Sequence, residues 1–181
     1  MRRLGIGTAI LALVLGAATM SSSVQAQCTA NGAPDSCGLP GSVSLTAGRV
    51  VRLQMSAGST SLSAPSTAEF DAGFNSTTGP TLTVSANAPW TLHLRSTATF
   101  WSATNTSPGA PARTNKPAGD LSWSTASNGS FSALTTSDAN LVAGPATASN
   151  ATTLYFQTLY NWALDTPGNY SLSIVLTLTA P

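Results

Sequence analysis

The closing stretch of the chain, Asn169 to Pro181, reads N-Y-S-L-S-I-V-L-T-L-T-A-P and constrains the fold more than any other. Tyr170, Leu172, Ile174, Leu176 and Leu178 are apolar, and Ser171, Ser173, Thr177 and Thr179 between them carry hydroxyls. Side chains therefore separate onto two faces with period two, which predicts a β-strand with one dry face. Asp165-Thr166-Pro167-Gly168 leads into it and predicts a type II turn, with a positive φ at Gly168. A strand that closes a sheet needs partners earlier in the chain. The best by alternation are Thr81 to Ala86 and Trp90 to Arg95.

The chain opens with Met1-Arg2-Arg3, an uncharged apolar run from Leu4 to Met20, and small residues at Val24 and Ala26. This is the pattern of a secretory signal peptide over residues 1–26, cleaved after Ala26. The run contains Gly5, Gly7, Thr8 and Gly16, and it falls short of the roughly 20 apolar residues that a membrane span needs. No transmembrane span is expected in the mature chain. Gln27 stands before Cys28 where a lipid-anchoring signal wants Gly or Ala, so a lipidated N-terminus is set aside. Export places Cys28 and Cys37 in an oxidising compartment, and a disulfide between them is expected. That bridge would pin residues 27–41 and contribute about 2 to 3 kcal/mol at most.

Only 7% of the chain is charged, and without Arg2 and Arg3 five basic residues face six acidic ones. That leaves no basic patch for nucleic acid or anionic lipid. Ser, Thr, Gly and Pro instead fill the gaps between short alternating runs, the composition of an all-β exported protein.

Val43 and Leu45 alternate with Ser42, Ser44 and Thr46 and predict a first short strand. Val51, Leu53 and Met55 predict a second. Pro65 to Gly79 reads as a loop whose Phe70 and Phe74 dock on the core. The even positions Leu82, Val84, Ala86, Ala88, Trp90, Leu92 and Leu94 are all apolar. Pro89 interrupts that run, leaving open two strands or one bent strand. Ser102 to Gly119, with Pro108, Pro111 and Pro117, reads as the longest surface loop. Leu121 and Trp123 open a further strand, Phe131 and Leu134 lie on another, Leu141-Val142 on a third, and Ala151 to Leu164 forms a longer aromatic-rich one. No helical period occurs outside the signal peptide. The expected fold is an antiparallel two-layer β-sandwich over residues 42–181, and strands this short argue against a transmembrane barrel.

Catalytic chemistry finds little support. His93 is the only imidazole, at a solvent-facing position of an alternating strand, so a Ser/His/Asp group lacks a held base. Glu69 and Asp71 are the only close carboxylate pair, and Asp120 and Asp165 read as turn residues that cap backbone amides. One His and two Cys are too few for a metal site, so no metal or cofactor is expected. The tryptophans are more informative. Trp90 shares a face with Leu92 and Leu94 and is expected in the core. Trp101, beside Phe100 at the mouth of the long loop, is expected to be exposed.

Two segments together resemble the bacterial WxL surface domain. L-T-V-S-A-N-A-P-W-T-L-H-L carries a first motif as Trp90-Thr91-Leu92, and the closing Y-S-L-S-I-V-L-T-L-T-A-P is similar to that family's terminal strand, with Leu176-Thr177-Leu178 at the motif position. Trp162-Ala163-Leu164 also matches the letters. The resemblance implies an Ig-like/WxL-like sandwich outside the cell, associated with cell-wall polysaccharide or other surface proteins. Trp90, Leu92, Trp101 and Trp162 are the candidate binding residues. The expected protein is thus a secreted or cell-surface, non-enzymatic module, extracellular, surface-bound or periplasmic. A structural subunit of a fimbria-like fibre or coat is the alternative.

Overall fold

A computed structural model describes residues 42–181. The expected signal peptide over residues 1–26, the expected disulfide-pinned segment 27–41 and the expected Cys28–Cys37 bridge lie outside the described residues. The chain divides at Thr46, and Ala47–Pro181 forms the unit that holds the strands described below. No helix among the described residues is long and apolar enough to cross a membrane.

The unit is an antiparallel, all-β sandwich. One sheet has the order β1-β2-β8-β5-β6, made by Val51–Met55 (β1), Phe74–Ala86 (β2), Thr147–Leu159 (β8), Leu121–Ser124 (β5) and Ser132–Ala133 (β6). The facing sheet runs β10-β3-β7, from Ile174–Thr179 (β10), Trp90–Ser96 (β3) and Ala139–Gly144 (β7). A separate ribbon pairs Ser102–Asn105 (β4) with Gly168–Ser171 (β9). The interior is built by alternation: β2 contributes Leu82 and Val84, β3 contributes Trp90, Leu92 and Leu94, and β8 contributes Leu154 and Phe156, all buried.

The interruption at Pro89 makes two strands, and they belong to different sheets. Ala86 ends β2 in one layer and Trp90 starts β3 in the other. Even-numbered side chains point inward on both sides of the crossing, so a single alternating run serves both faces of the core. Asn87 secures the crossing, because its side-chain oxygen accepts from Val50 N at 2.7 Å and its amide donates to Gly48 O at 2.8 Å.

Several expectations are corrected. The closing stretch is two strands: β9 joins β4, and β10 joins β3 with Leu176 opposite Leu94 and Leu178 opposite Leu92. Thr81 to Ala86, the other expected partner, is hydrogen-bonded to β1 and β8 instead. Gly168 lacks the positive φ of a type II turn. It is the first residue of β9, and a Cβ there would come within 2.6 Å of the Ala112 Cβ, so close packing is what requires glycine. The reversal is made earlier, where Leu164 and Asp165 donate their N–H to Asn161 O, and β8 has already ended at Leu159. Val43 and Leu45 form no strand, since residues 42–50 have no regular secondary structure.

A short helix occurs among the described residues, where none was expected. Thr67–Ala72 (α1) starts at a capping box, in which Glu69 N donates to the Ser66 hydroxyl and Ser66 N donates to the Glu69 carboxylate. It stops at Gly73, whose φ of 79° is left-handed. The remainder of the expected loop, from Phe74 on, is already β2.

Candidate functional site

The segment expected to be a surface loop, Ser102 to Gly119, carries instead a buried charge cluster. Its first residues form β4, and Asn105 Oδ1 at the end of that strand accepts from Ala112 N at 2.7 Å. Arg113 N donates to the Tyr170 hydroxyl at 3.0 Å, which in turn donates to Thr166 O at 2.7 Å. These bonds bring Arg113 and Lys116 against Asp165. Arg113 Nη1 lies 3.0 Å from Asp165 Oδ1 and 3.2 Å from Asp120 Oδ2. Lys116 Nζ lies 3.0 Å and 3.3 Å from the same two oxygens and donates its third proton to Leu159 O at 2.8 Å. Two cations and two carboxylates thus balance in a largely desolvated space.

Burial alone would raise the Asp165 pKa, but hydrogen bonds from Lys116 and Arg113 outweigh it and hold the carboxyl below its ordinary value. The Asp165 Oδ2 accepts from Asn161 N at 2.8 Å, so the expected turn-capping role holds for that oxygen while the other is an ion-pair partner. All three Lys116 protons are thus engaged within the protein.

Beside this cluster opens a cleft of about 740 Å³ lined by Phe70, Tyr160, Trp162, Tyr170 and Trp101. Trp162, 60% exposed, stacks on Phe70 with ring centres 4.5 Å apart at 27°. Its indole N–H donates to Asp71 Oδ1 at 3.0 Å, which fixes the plane of the ring. Phe70 rests in turn on Tyr160 at 5.4 Å. The Tyr160 hydroxyl has a raised pKa, chiefly from burial and then from Glu69 and Asp165. The aromatic of α1 therefore docks on the β8–β9 turn. Neither Phe70 nor Phe74 docks on the sandwich core as expected, since Phe74 is exposed on β2.

A second groove, of about 890 Å³, runs between the edge strands β1 and β10. Leu53 and Met55 form one wall, Ile174 and Leu176 the other, and Trp101 and Phe156 close its floor. Leu62, Trp101 and Tyr170 border both openings. Trp101 is only 6% exposed, contrary to expectation, and its Nε1 has no hydrogen-bond partner. Its neighbour Phe100 takes the outward position.

Of the four candidate binding residues, only Trp162 presents its ring to solvent. Trp90 is 2% exposed, with its indole N–H given to Pro145 O at 2.8 Å, and Leu92 is wholly buried beside it. The two motif segments lie on neighbouring strands, with Trp162-Ala163-Leu164 apart from them in the turn after β8. The remaining carboxylates of the described residues are also engaged: Glu69 caps α1, Asp71 holds Trp162, and Asp138 pairs with Arg95 at 3.4 Å. His93 is half-buried on β3, and the described residues contain no metal-binding group of three His, Cys, Asp or Glu. Phe70, Tyr160, Arg113 and Lys116 were not foreseen as site residues. The Lys116 to Asp120 spacing of four was the available signal for the cluster.

No protein-family model matches this chain, and no curated protein matches it either.

Proposed function

We propose that this chain is an exported, non-enzymatic surface module that holds cell-wall polysaccharide against the aromatic cleft at Trp162. The exposed face of Trp162 carries the reading. A sugar ring offers a flat array of C–H groups, and an indole fixed by Asp71 and backed by Phe70 meets it without ordering a mobile side chain. The engagement of the described carboxylates in caps and ion pairs supports a binding role over acid–base chemistry. Purified chain should sediment with isolated walls of its host, and Trp162→Ala should reduce the bound fraction at least about tenfold while leaving the fold intact, since the ring lies outside the core. Equal sedimentation of both proteins, or of neither, overturns the reading.

A second reading, a subunit of a fibre or coat, is favoured by a different observation. The outer edge of β10 is unpaired among the described residues, and Ile174–Thr179 contains no charge and no proline. Natural sheets commonly guard such an edge with lysine, proline or a bulge.

A further inference from the structure

The cleft at Trp162 does not end at the aromatic platform. Leu62, Trp101 and Tyr170 line both it and the groove between β1 and β10, so the two openings share a wall. Their chemistry differs. The cleft carries the stacked rings of Phe70 and Trp162, with Lys116 and Asp165 among its lining residues. No residue that lines the groove is charged, and Leu53, Met55, Ile174 and Leu176 make its sides.

Those sides are unevenly covered. Leu53, Ile174 and Leu176 pack on the core but are only partly buried, and Met55 is 42% exposed. The unit's own Ala57–Leu62 segment also lines the groove, and among the described residues it makes no hydrogen bond to either flanking strand. A hydrocarbon chain asks for no such bond. It gains by leaving water, about fourfold in affinity for each methylene buried. Trp101, in the shared wall, is 6% exposed, and its Nε1 donor has no acceptor.

We propose that the ligand of this chain is a glycolipid, with its sugar on Trp162, its hydrocarbon chain in the groove between β1 and β10, and the oxygen that joins them at the Trp101 wall. Resting on the sugar-binding reading of Trp162, this assignment names the lipid-bearing end of the wall glycan as the part recognised. One amphiphilic molecule then fills two adjoining openings of unlike polarity.

The test titrates the purified chain with methyl, hexyl and octyl β-glucosides below their micellar concentrations, followed by ligand-observed NMR. Octyl glucoside should bind at least about tenfold more tightly than hexyl glucoside, the effect of two further buried methylenes. Met55→Glu sets a carboxylate on the groove wall at an exposed position, so it should melt at the wild-type temperature and lose most of that gain, and Met55→Leu should keep it. Trp162→Ala should weaken all three glucosides by a common factor. Equal binding of hexyl and octyl glucoside, no binding of either, or a gain that Met55→Glu leaves untouched overturns the glycolipid assignment. Sedimentation with walls that is lost in Trp162→Ala would then still uphold the sugar reading. A chain-length gain indifferent to Trp162→Ala would mean that hydrocarbon binds alone, and both would fail.

Discussion

Asp165→Ala is expected to destabilise the protein by about 3 to 5 kcal/mol, the usual cost of removing one partner from a buried ion pair. Asp165 Oδ1 is the closest anionic partner of both Arg113 and Lys116, each at 3.0 Å. Without it Lys116 stays buried with Asp120 alone, at 3.3 Å, and the backbone N–H of Asn161 loses its acceptor. Asp165→Asn keeps an acceptor and should cost less. The pH dependence follows from the lowered pKa. Because the folded state holds the carboxyl below its ordinary 3.8, the contribution is fully present above that value and is lost as pH falls through the lower, folded one. Urea melts should therefore show the wild type losing stability in strong acid, with a flatter acid limb for Asp165→Asn. An Asp165→Ala midpoint equal to that of the wild type would show the cluster to be energetically idle.

Trp90→Ala should cost a similar amount, about 3 to 5 kcal/mol, for a different reason. The ring fills the space between the sheets at the point where the chain passes from one to the other, and it packs against Gly144, where even a Cβ would come within 3.0 Å of it. Truncation leaves a cavity and strips Pro145 O of its donor. Trp90→Phe should retain most of the packing and lose mainly that bond. Comparison of the two by thermal melting separates filling from hydrogen bonding. Equal, small losses would mean that the neighbouring side chains collapse into the gap.

The strands were legible in the sequence where alternation ran long, as from Leu82 to Leu94 and from Ile174 to Leu178. Alternation reports which side of a strand is dry but says nothing of the neighbour, so β2 was assigned as a partner of the last strand when it lies in the opposite sheet. The Phe100-Trp101 doublet shows the same limit: adjacent residues face opposite ways, and the pattern did not say which aromatic turned inward. The capping box at Ser66 and Glu69 was present in the letters, but six residues are too few to display a helical period. The ion cluster was concealed by its setting, a stretch of Pro, Asn and Thr that resembles loop. In a chain only 7% charged, two cations and an acid so near each other were the clue. Asp165, which completes the cluster, comes from a distant turn, and no local spacing could have joined it to them.

The pairing of β2 with β8 sets how the chain can reach this structure. The two long strands meet with Thr81 opposite Thr153, and β3 meets β10 with Leu92 opposite Leu178, so both central ladders join the first half of the unit to its far end. Each requires a long loop to close before any contact rewards it, which places the unit among slowly folding topologies. Neither of these ladders can zip until β8 and β10 have left the ribosome, and the edges of β2 and β3 that they cover wait open until then.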